Sequence, residues 1–522
     1  MDVLVALNVG AMVIVAVYAL NQGFMVSMFV WFKLRDALAA RRRGVVSAEA
    51  APVALRNDHL PVVTVQLPLY NERYVTERII AAVSALDYPH SLLQIQVLDD
   101  STDETTCIAQ HAAAKARAQG IEIDFIHRDS RSGYKAGALA HGMLTARGEF
   151  IAIFDADFIP PRDFLRRVIA ESGAFTDPHT GFVQTRWGHL NRDASILTRA
   201  QAIMLDSCFV IDQTVRSRLG LPMQFNGSGG VWRRAAIEAA GGWQSDTLTE
   251  DLDLSYRAQL AGWRGRYLYD VVCPGELPDS LLAFKQQQAR WARGGAQCMR
   301  KLASPIAHSH RPLLHKLGAF VHITGYFSTL PVVMLALVTP LLIISSSSRQ
   351  SLPVWISLLG ALPILELFIA QWAQGRVGQF VRYAPLAVIL GIGLSLSASI
   401  SVITGLLGRS AGEFSRTPKS ALQLNGGKKQ RPARGTVRAV MTHSYRLHPN
   451  WTVRAELLVG LYAMIICALV VAQGAWLPMM PALFYAFCFL GVVIGQIVPG
   501  IRAELSARAQ NGRMGSHLPL MK

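Results

Sequence analysis

Apolar residues in this chain come as long runs near both ends and as short alternating runs in the middle, a distribution that constrains the fold more than any motif. Residues 3–32, VLVALNVGAMVIVAVYALNQGFMVSMFVWF, carry no charged side chain. A helix needs about 20 such residues to cross a bilayer. The run has no basic stretch before it and is too long for a signal-peptide core. Residues 1–35 are therefore expected to form a retained transmembrane helix. Further candidate spans lie at 317–346, 354–374, 384–408, 454–474 and 478–500 within a membrane part covering 301–501. Residues 56–300 have ordinary soluble composition and are long enough for one α/β domain. The apolar runs explain why only 16% of the 522 residues are charged, against about 25% in typical soluble chains.

The formal net charge is +16, which raises the question of nucleic acid. Much of the excess, however, flanks apolar runs: Arg41, Arg42 and Arg43 follow the first, and Lys428, Lys429, Arg431 and Arg434 separate later ones. Basic residues in such places are topology signals, and no nucleic-acid recognition motif accompanies them. They place the middle domain in the cytoplasm of an inner- or plasma-membrane, multi-pass protein. Six full spans would put the basic segment 409–453 outside. Five spans, with 384–408 lying in the interface, put that segment and the 502–522 tail on the cytosolic side, and the charge rule favours five. The six cysteines form no C-x-x-C pair and the 14 histidines show no ligand spacing, so neither a disulfide framework nor a zinc site is expected.

In the middle domain, PVVTVQLPLY (61–70), IQVLDD (95–100) and GEFIAIFDAD (148–157) read as buried strands ending in polar residues, with a helical stretch at 73–86. This is a βαβ pattern with a mainly parallel sheet. Ligands of such sheets collect at the carboxyl ends of the strands, where the acidic residues fall. Asp155 and Asp157 form a D-x-D. Residues i and i+2 of a strand share a face, so the pair suits one hard cation, although turn or cap aspartates look the same. Glu250 and Asp251, in T-E-D, open a helical segment; they read equally as helix caps or as a base acting on a hydroxyl. Gln287, Arg290 and Trp291 form Q-x-x-R-W, in which Arg can grip phosphate and Trp can stack on a sugar ring; an amphipathic helix with an interfacial Trp is the alternative. Gly227, Gly229 and Gly230 serve either a turn or a close approach of backbone to a ligand.

The series D-D, D-x-D, T-E-D, Q-x-x-R-W within one α/β segment resembles the processive branch of glycosyltransferase family 2, the cellulose synthases and their relatives. LPLYNE (67–72), FNGSGGVWR (225–233), GGW (241–243) and ELPDS…FKQQQARW (276–291) are similar to the cellulose-synthase-like A and C proteins, which make mannan or glucan backbones. The resemblance implies a GT-A-type cytosolic domain inserted between about five spans plus interfacial helices, and a Mg2+ or Mn2+ cofactor held by Asp155 and Asp157. It implies a nucleotide-sugar pocket of Tyr70, Glu72, Asp99, Asp100, Lys135, Asp155, Gln287 and Arg290. Asp251 would be the base with Glu250 beside it, and Trp291 would meet the acceptor. Phe414, Thr417 and Lys419 are similar to a gating loop, although Arg416 stands where that loop carries Val. About twenty residues follow the last span, leaving no obvious home for a cyclic-di-GMP-binding barrel.

The implied activity is inverting, processive transfer from UDP-glucose or GDP-mannose onto a growing glycan, giving a translocated β-glucan or β-mannan. The expected partners are the donor, the glycan acceptor and membrane lipids, with the oligomeric state open. The rivals are a β-glycosyltransferase acting on diacylglycerol or ceramide, and a non-catalytic glycan-export scaffold.

Overall fold

Val63, Val65, Leu67 and Leu69 alternate with Thr64, Gln66 and Pro68 along one strand, and each series takes its own face of a central sheet. The apolar series packs on Ile79, Ile80 and Val83 of the Thr76–Ser84 helix and on Ile95 and Val97 of the next strand. Each such side chain contributes about 1.5–3 kcal/mol by leaving water. The polar series pairs across the sheet: Thr64 donates to Gln94 Oε1 (2.9 Å) and Gln66 to Gln96 Oε1 (3.0 Å). A buried amide ladder thus offsets the desolvation of these groups.

The computed structural model describes residues 2–43, 60–344, 359–408, 451–472 and 479–515. The expected gating residues Phe414, Thr417 and Lys419 lie outside them. The strands are β1 (Val63–Leu69), β2 (Leu93–Asp99), β3 (Ile123–His127), β4 (Phe150–Ile153), β5 (Thr180–His189), β6 (Gly230–Arg233) and β7 (Arg264–Gly275). They form one sheet in the order β3-β2-β1-β4-β6-β5-β7. β1 pairs in parallel with β2 and β4, and β2 with β3, while β6 runs antiparallel to both of its neighbours. The register sets Leu69 opposite Asp99, so the acidic ends of β1, β2 and β4 reach the same edge.

Among the described residues, four helices are long and apolar enough to cross a membrane: Val3–Arg41, Gly325–Ile344, Trp451–Ala472 and Met479–Val498. The 384–408 candidate falls on a bent helix pair. Val377–Gly393 and Ser395–Leu407 meet at a 41° bend and together make a fifth possible span. The break falls at Gly393-Leu394-Ser395, the small-residue composition at which helices kink. Beyond it, Gly405 approaches the Leu281–His308 helix so closely that a Cβ there would lie 2.6 Å from Arg293 O. The 354–374 candidate is described only from residue 359, and its Ala361–Ala373 helix is short for a crossing.

The Leu281–His308 helix, which carries Q-x-x-R-W, is tied to the last two spans by a buried polar triad. Lys285 Nζ lies 2.8 Å from Glu456 and 3.2 Å from Gln496 Oε1, and Gln496 also donates to Glu456 (3.0 Å). Removing one partner leaves an uncompensated buried charge. Lys285→Met is therefore expected to cost about 3–5 kcal/mol, read as a lowered unfolding temperature in detergent, and Lys285→Met/Glu456→Met should recover most of it.

Candidate functional site

The cleft at the carboxyl edge of the sheet is walled by the ends of β1, β4, β5 and β7, by the 226–227 and 248–251 segments, and by the Leu281–His308 helix. β4 delivers Asp155 and Asp157 just past its last paired residue. Ser228 Oγ accepts from Asp155 N (2.9 Å), and Asp157 O accepts from Glu276 N (3.1 Å), which fixes the turn on both sides.

Lys135 enters from the first turn of the Tyr134–Met143 helix, which starts from left-handed Gly133 (φ +72°). Its ammonium lies 2.6 Å from Asp155 Oδ1 and 3.7 Å from Glu250 Oε1, and donates to Gly227 O (2.9 Å). Burial works against this ammonium, but Asp155 and Glu250 outweigh it and hold the group above its ordinary value. Arg290 faces the same carboxylates; burial holds it below the usual arginine value, opposed by Glu250 and Asp155.

Within T-E-D the cap position itself, Thr249 ahead of the Glu250–Leu260 helix, carries no side-chain cap bond, while the Asp251 carboxylate accepts from a first-turn N–H. The Thr249 hydroxyl meets Cys298 Sγ at 3.4 Å. Asp251 Oδ1 accepts from Leu252 N (2.8 Å), while its other oxygen lies beside Gly227. Burial and the neighbouring Glu250 push Asp251 up to about 7, against the pull of Lys135. Such a carboxyl is matched to a proton-transfer task near neutral pH.

The glycine loop is a left-handed turn whose backbone comes close to side chains of the cleft. Gly227 and Gly229 adopt φ +80° and +66°, and a Cβ at Gly227 would lie 2.8 Å from Asp251 Oδ2. Gly227→Ala is expected to lower both the unfolding temperature and kcat, because left-handed strain of about 1–3 kcal/mol adds to displacement of the Asp251 carboxylate. Thermal unfolding and turnover measured on the same preparation check this.

Most sequence-predicted residues meet in this one cleft: Tyr70, Glu72, Asp100, Lys135, Asp155, Asp157, Glu250, Asp251, Gln287, Arg290 and Trp291. Asp99 does not line it. Its side chain is fully buried, 2.8 Å from His127 Nδ1, and accepts from Ser101 N (3.2 Å). Asp100 reaches the cleft wall while held by Arg128 through two bonds of 2.7 and 2.6 Å. Trp187, His189, Asn226 and Arg131 also line the cleft and were not anticipated. Arg131 stacks on Tyr70, its guanidinium carbon 3.4 Å from the ring centroid. The end of β5, with an aromatic and a histidine two positions apart and so on one face, was the available signal for Trp187 and His189.

Among the described residues, no group of three or more His, Cys, Asp or Glu side chains could hold a metal by itself. Asp155 and Asp157 nevertheless supply two hard oxygen donors at the cleft floor, and Asp155 already holds one cation, the Lys135 ammonium. Mg2+ is commonly bound by one or two carboxylates together with substrate phosphates, and the pair fits that mode.

Residues 150–368 match the profile of glycosyl transferase family group 2 and residues 64–216 that of glycosyl transferase family 2. The chain is 42% identical over 261 residues to glucomannan 4-beta-mannosyltransferase 2 of Arabidopsis thaliana, covering 49% of this chain and 48% of that protein. It is 43% identical over 263 residues to probable glucomannan 4-beta-mannosyltransferase 4 of Oryza sativa subsp. japonica, covering 50% and 48%. The chain thus spans about half the length of the curated relatives it matches. Among solved structures, the mannosyltransferase PcManGT from Pyrobaculum calidifontis, in complex with GDP-Man and Mn2+, aligns with TM-score 0.49 and 21% identity, covering 74% of this chain and 99% of that one. The mixed sheet with its acidic strand-end cleft is the GT-A type of fold, and the chain carries glycosyltransferase family 2 matches over residues 64–216 and 150–368.

Proposed function

We propose that this protein is a membrane-embedded, inverting β-glycosyltransferase that extends a β-linked polysaccharide, with mannosyl transfer from GDP-mannose as the first reading of its donor. The observation that carries it is the convergence of Asp251, Lys135, Asp155, Arg290 and Trp291 in one cleft. The mannan reading draws its support from the glucomannan mannosyltransferases that the chain resembles at 42–43% identity.

Asp251 takes the proton of an acceptor hydroxyl. The oxygen so exposed attacks the anomeric carbon from the face opposite the leaving group. The bond to the nucleoside diphosphate breaks, and an α-linked donor gives a β-linked product. Lys135 and Arg290 meet the charge that gathers on the departing diphosphate. Asp155 and Asp157 would hold Mg2+ or Mn2+, which neutralises diphosphate charge when bound. Tyr70, Glu72 and Asp100 line the cleft beyond Lys135 and form the nucleoside end. Trp291 stacks on the terminal sugar of the acceptor, so that the lengthened chain stays in place for the next addition. Lys33, Arg35 and Arg41 close the first apolar helix, and positive charge in such a position favours the cytosolic side for the catalytic domain. The growing glycan would leave between the membrane helices that pack on the Leu281–His308 helix.

The test uses full-length protein in nanodiscs with Mn2+ or Mg2+, given GDP-mannose and UDP-glucose separately. Nucleotide release is measured, and the product is digested with linkage-specific β-glycanases. A mannanase-sensitive polymer from GDP-mannose is expected. A glucanase-sensitive polymer from UDP-glucose would move the donor assignment, and a product extractable into organic solvent would overturn the polymer.

A further inference from the structure

β7 does not run evenly along β5. Thr185 pairs with Leu268 and the next residue, Arg186, with Val272, so Tyr269, Asp270 and Val271 form a bulge. Bulges re-aim side chains out of a sheet, and this one sends Tyr269 to the first membrane helix. Lys33 Nζ and the Arg186 guanidinium carbon each lie 4.7 Å from the centroid of the Tyr269 ring. Arg186 also donates to Tyr269 O (2.9 Å) and to Gln374 Oε1 (3.3 Å), and Arg376 donates to that same Gln374 oxygen (3.1 Å). Three cations from three separate parts of the chain therefore gather on one ring and one amide.

Their charge is met from within only at a distance, by Asp206 and Asp193 acting on Arg376. No carboxylate of the described residues lies within 4 Å of Lys33, Arg186 or Arg376, whereas nearby Asp36 is taken by Arg218 (2.6 Å) and Asp206 by Arg192 (2.7 Å). Gathering like charges is unfavourable, and burial together with the Arg192 and Arg186 guanidinium groups holds Arg376 below the usual arginine value despite the pull of Asp206 and Asp193. The cluster suits an anion from outside the chain.

Its level identifies that anion. Lys33 directly follows the apolar 3–32 run, and Arg376 lies just past the apolar Ala361–Ala373 helix. Phe29, Ala370 and Tyr269 share one apolar cluster, so the two helix ends lie side by side. Trp31 and Trp372, at the same two ends, are 48% and 53% exposed. Tryptophan favours the headgroup layer, and basic pockets between membrane helices at that level bind lipid phosphate.

We propose that Lys33, Arg186 and Arg376 form a binding site for the phosphate of an anionic phospholipid headgroup. The site lies at the junction of the first membrane helix, the 374–376 turn and the β5–β7 edge of the catalytic sheet. Because Arg186 directly precedes the cleft residue Trp187, a bound headgroup also braces the wall of the cleft.

Native mass spectrometry of the full chain in neutral detergent, titrated with phosphatidylglycerol or phosphatidylcholine, tests the site without reference to turnover. The protein is expected to retain phosphatidylglycerol in preference to phosphatidylcholine. A basic side chain at an anionic surface contributes about fivefold in affinity, so Lys33→Gln/Arg376→Gln should weaken phosphatidylglycerol binding by roughly twenty-fivefold. The matched loss of two charges in Lys115→Gln/Arg147→Gln, both exposed elsewhere on the catalytic domain, should leave it unchanged. Should the double variant fail to fold, Lys33→Gln alone, at an exposed position, is expected to give the fivefold loss. Equal binding of the two lipids, unchanged affinity in the site variant, or equal loss in the control pair would overturn the proposal. Displacement of the lipid by inorganic phosphate at comparable concentration would overturn it too, by making the site one for free phosphate.

Discussion

Asp251→Asn is expected to lower kcat by about 10²–10⁴-fold, the usual worth of a positioned general base, while leaving nucleoside diphosphate affinity unchanged. The substitution is nearly isosteric. Its amide oxygen can still accept from Leu252 N, the bond that now fixes Asp251 at 2.8 Å. The Glu250–Leu260 helix should therefore keep its place, and the loss would report the missing base. Single-turnover transfer and nucleotide binding on the same nanodisc sample separate the two. A variant with the parent's kcat would move the base elsewhere, first to Glu250, whose carboxylate lies 3.7 Å from Lys135 Nζ.

The same carboxyl sets a pH dependence. Burial and Glu250 push Asp251 up to about 7, and only its ionised form can accept a proton. On the acid side kcat/KM should fall tenfold per pH unit below that value, and it should level off above it. Stability runs the other way. A carboxyl whose folded-state value is raised binds its proton more tightly when folded, so its contribution is full below about pH 4, the ordinary Asp range. That contribution is lost as pH rises toward 7. Asp251→Asn escapes the loss and should unfold at a higher temperature than the parent at pH 8, while differing little at pH 4. A group that destabilises its own fold in this way is the expected cost if Asp251 is the base.

What the sequence disclosed follows from which signals are local. β1, β2 and β4 were legible because β-branched runs end in polar residues, and because parallel pairing carries all three ends to one edge. β6 has only four residues, Gly230–Arg233, and its place between β4 and β5 rests on pairings distant in sequence. The bulge in β7 breaks the alternation that would have revealed the strand. The fate of Asp99 was readable: adjacent strand residues point to opposite faces, so only one of Asp99 and Asp100 could meet the cleft. Asp99 instead holds His127. T-E-D was ambiguous from sequence because a cap and a catalytic acid share composition, and in the structure Asp251 both accepts from Leu252 N in the first turn and lines the cleft beside Gly227. The 384–408 segment reads as one apolar run, since hydropathy does not register a kink at Gly393 and Ser395.

Lys135→Met should lower kcat/KM by about 10²–10³-fold, the cost of losing one stabiliser of developing negative charge. Met matches the length of the lysine stem, so the Tyr134–Met143 helix can keep its packing while the ammonium is lost. Three consequences separate a chemical role from a structural one. Nucleoside diphosphate affinity should drop with kcat, since a cation beside the leaving group meets the same phosphates in the bound product. Lys135 also pulls Asp251 down in pKa, so removing it should shift the acid limb of the pH profile above 7, with part of the lost activity recovered at more alkaline pH. Finally, the carboxylates of Asp155 and Glu250, which lie 2.6 and 3.7 Å from the ammonium, would face each other without it, and the variant should be less stable at pH 8 than at pH 6. A variant that lost stability but kept the parent's pH profile and product affinity would make Lys135 a strut for Gly227 and Asp155. The shifted acid limb, by contrast, would tie the Lys135 ammonium to both the base and the leaving group, joining Asp251 and Asp155 into one electrostatic unit.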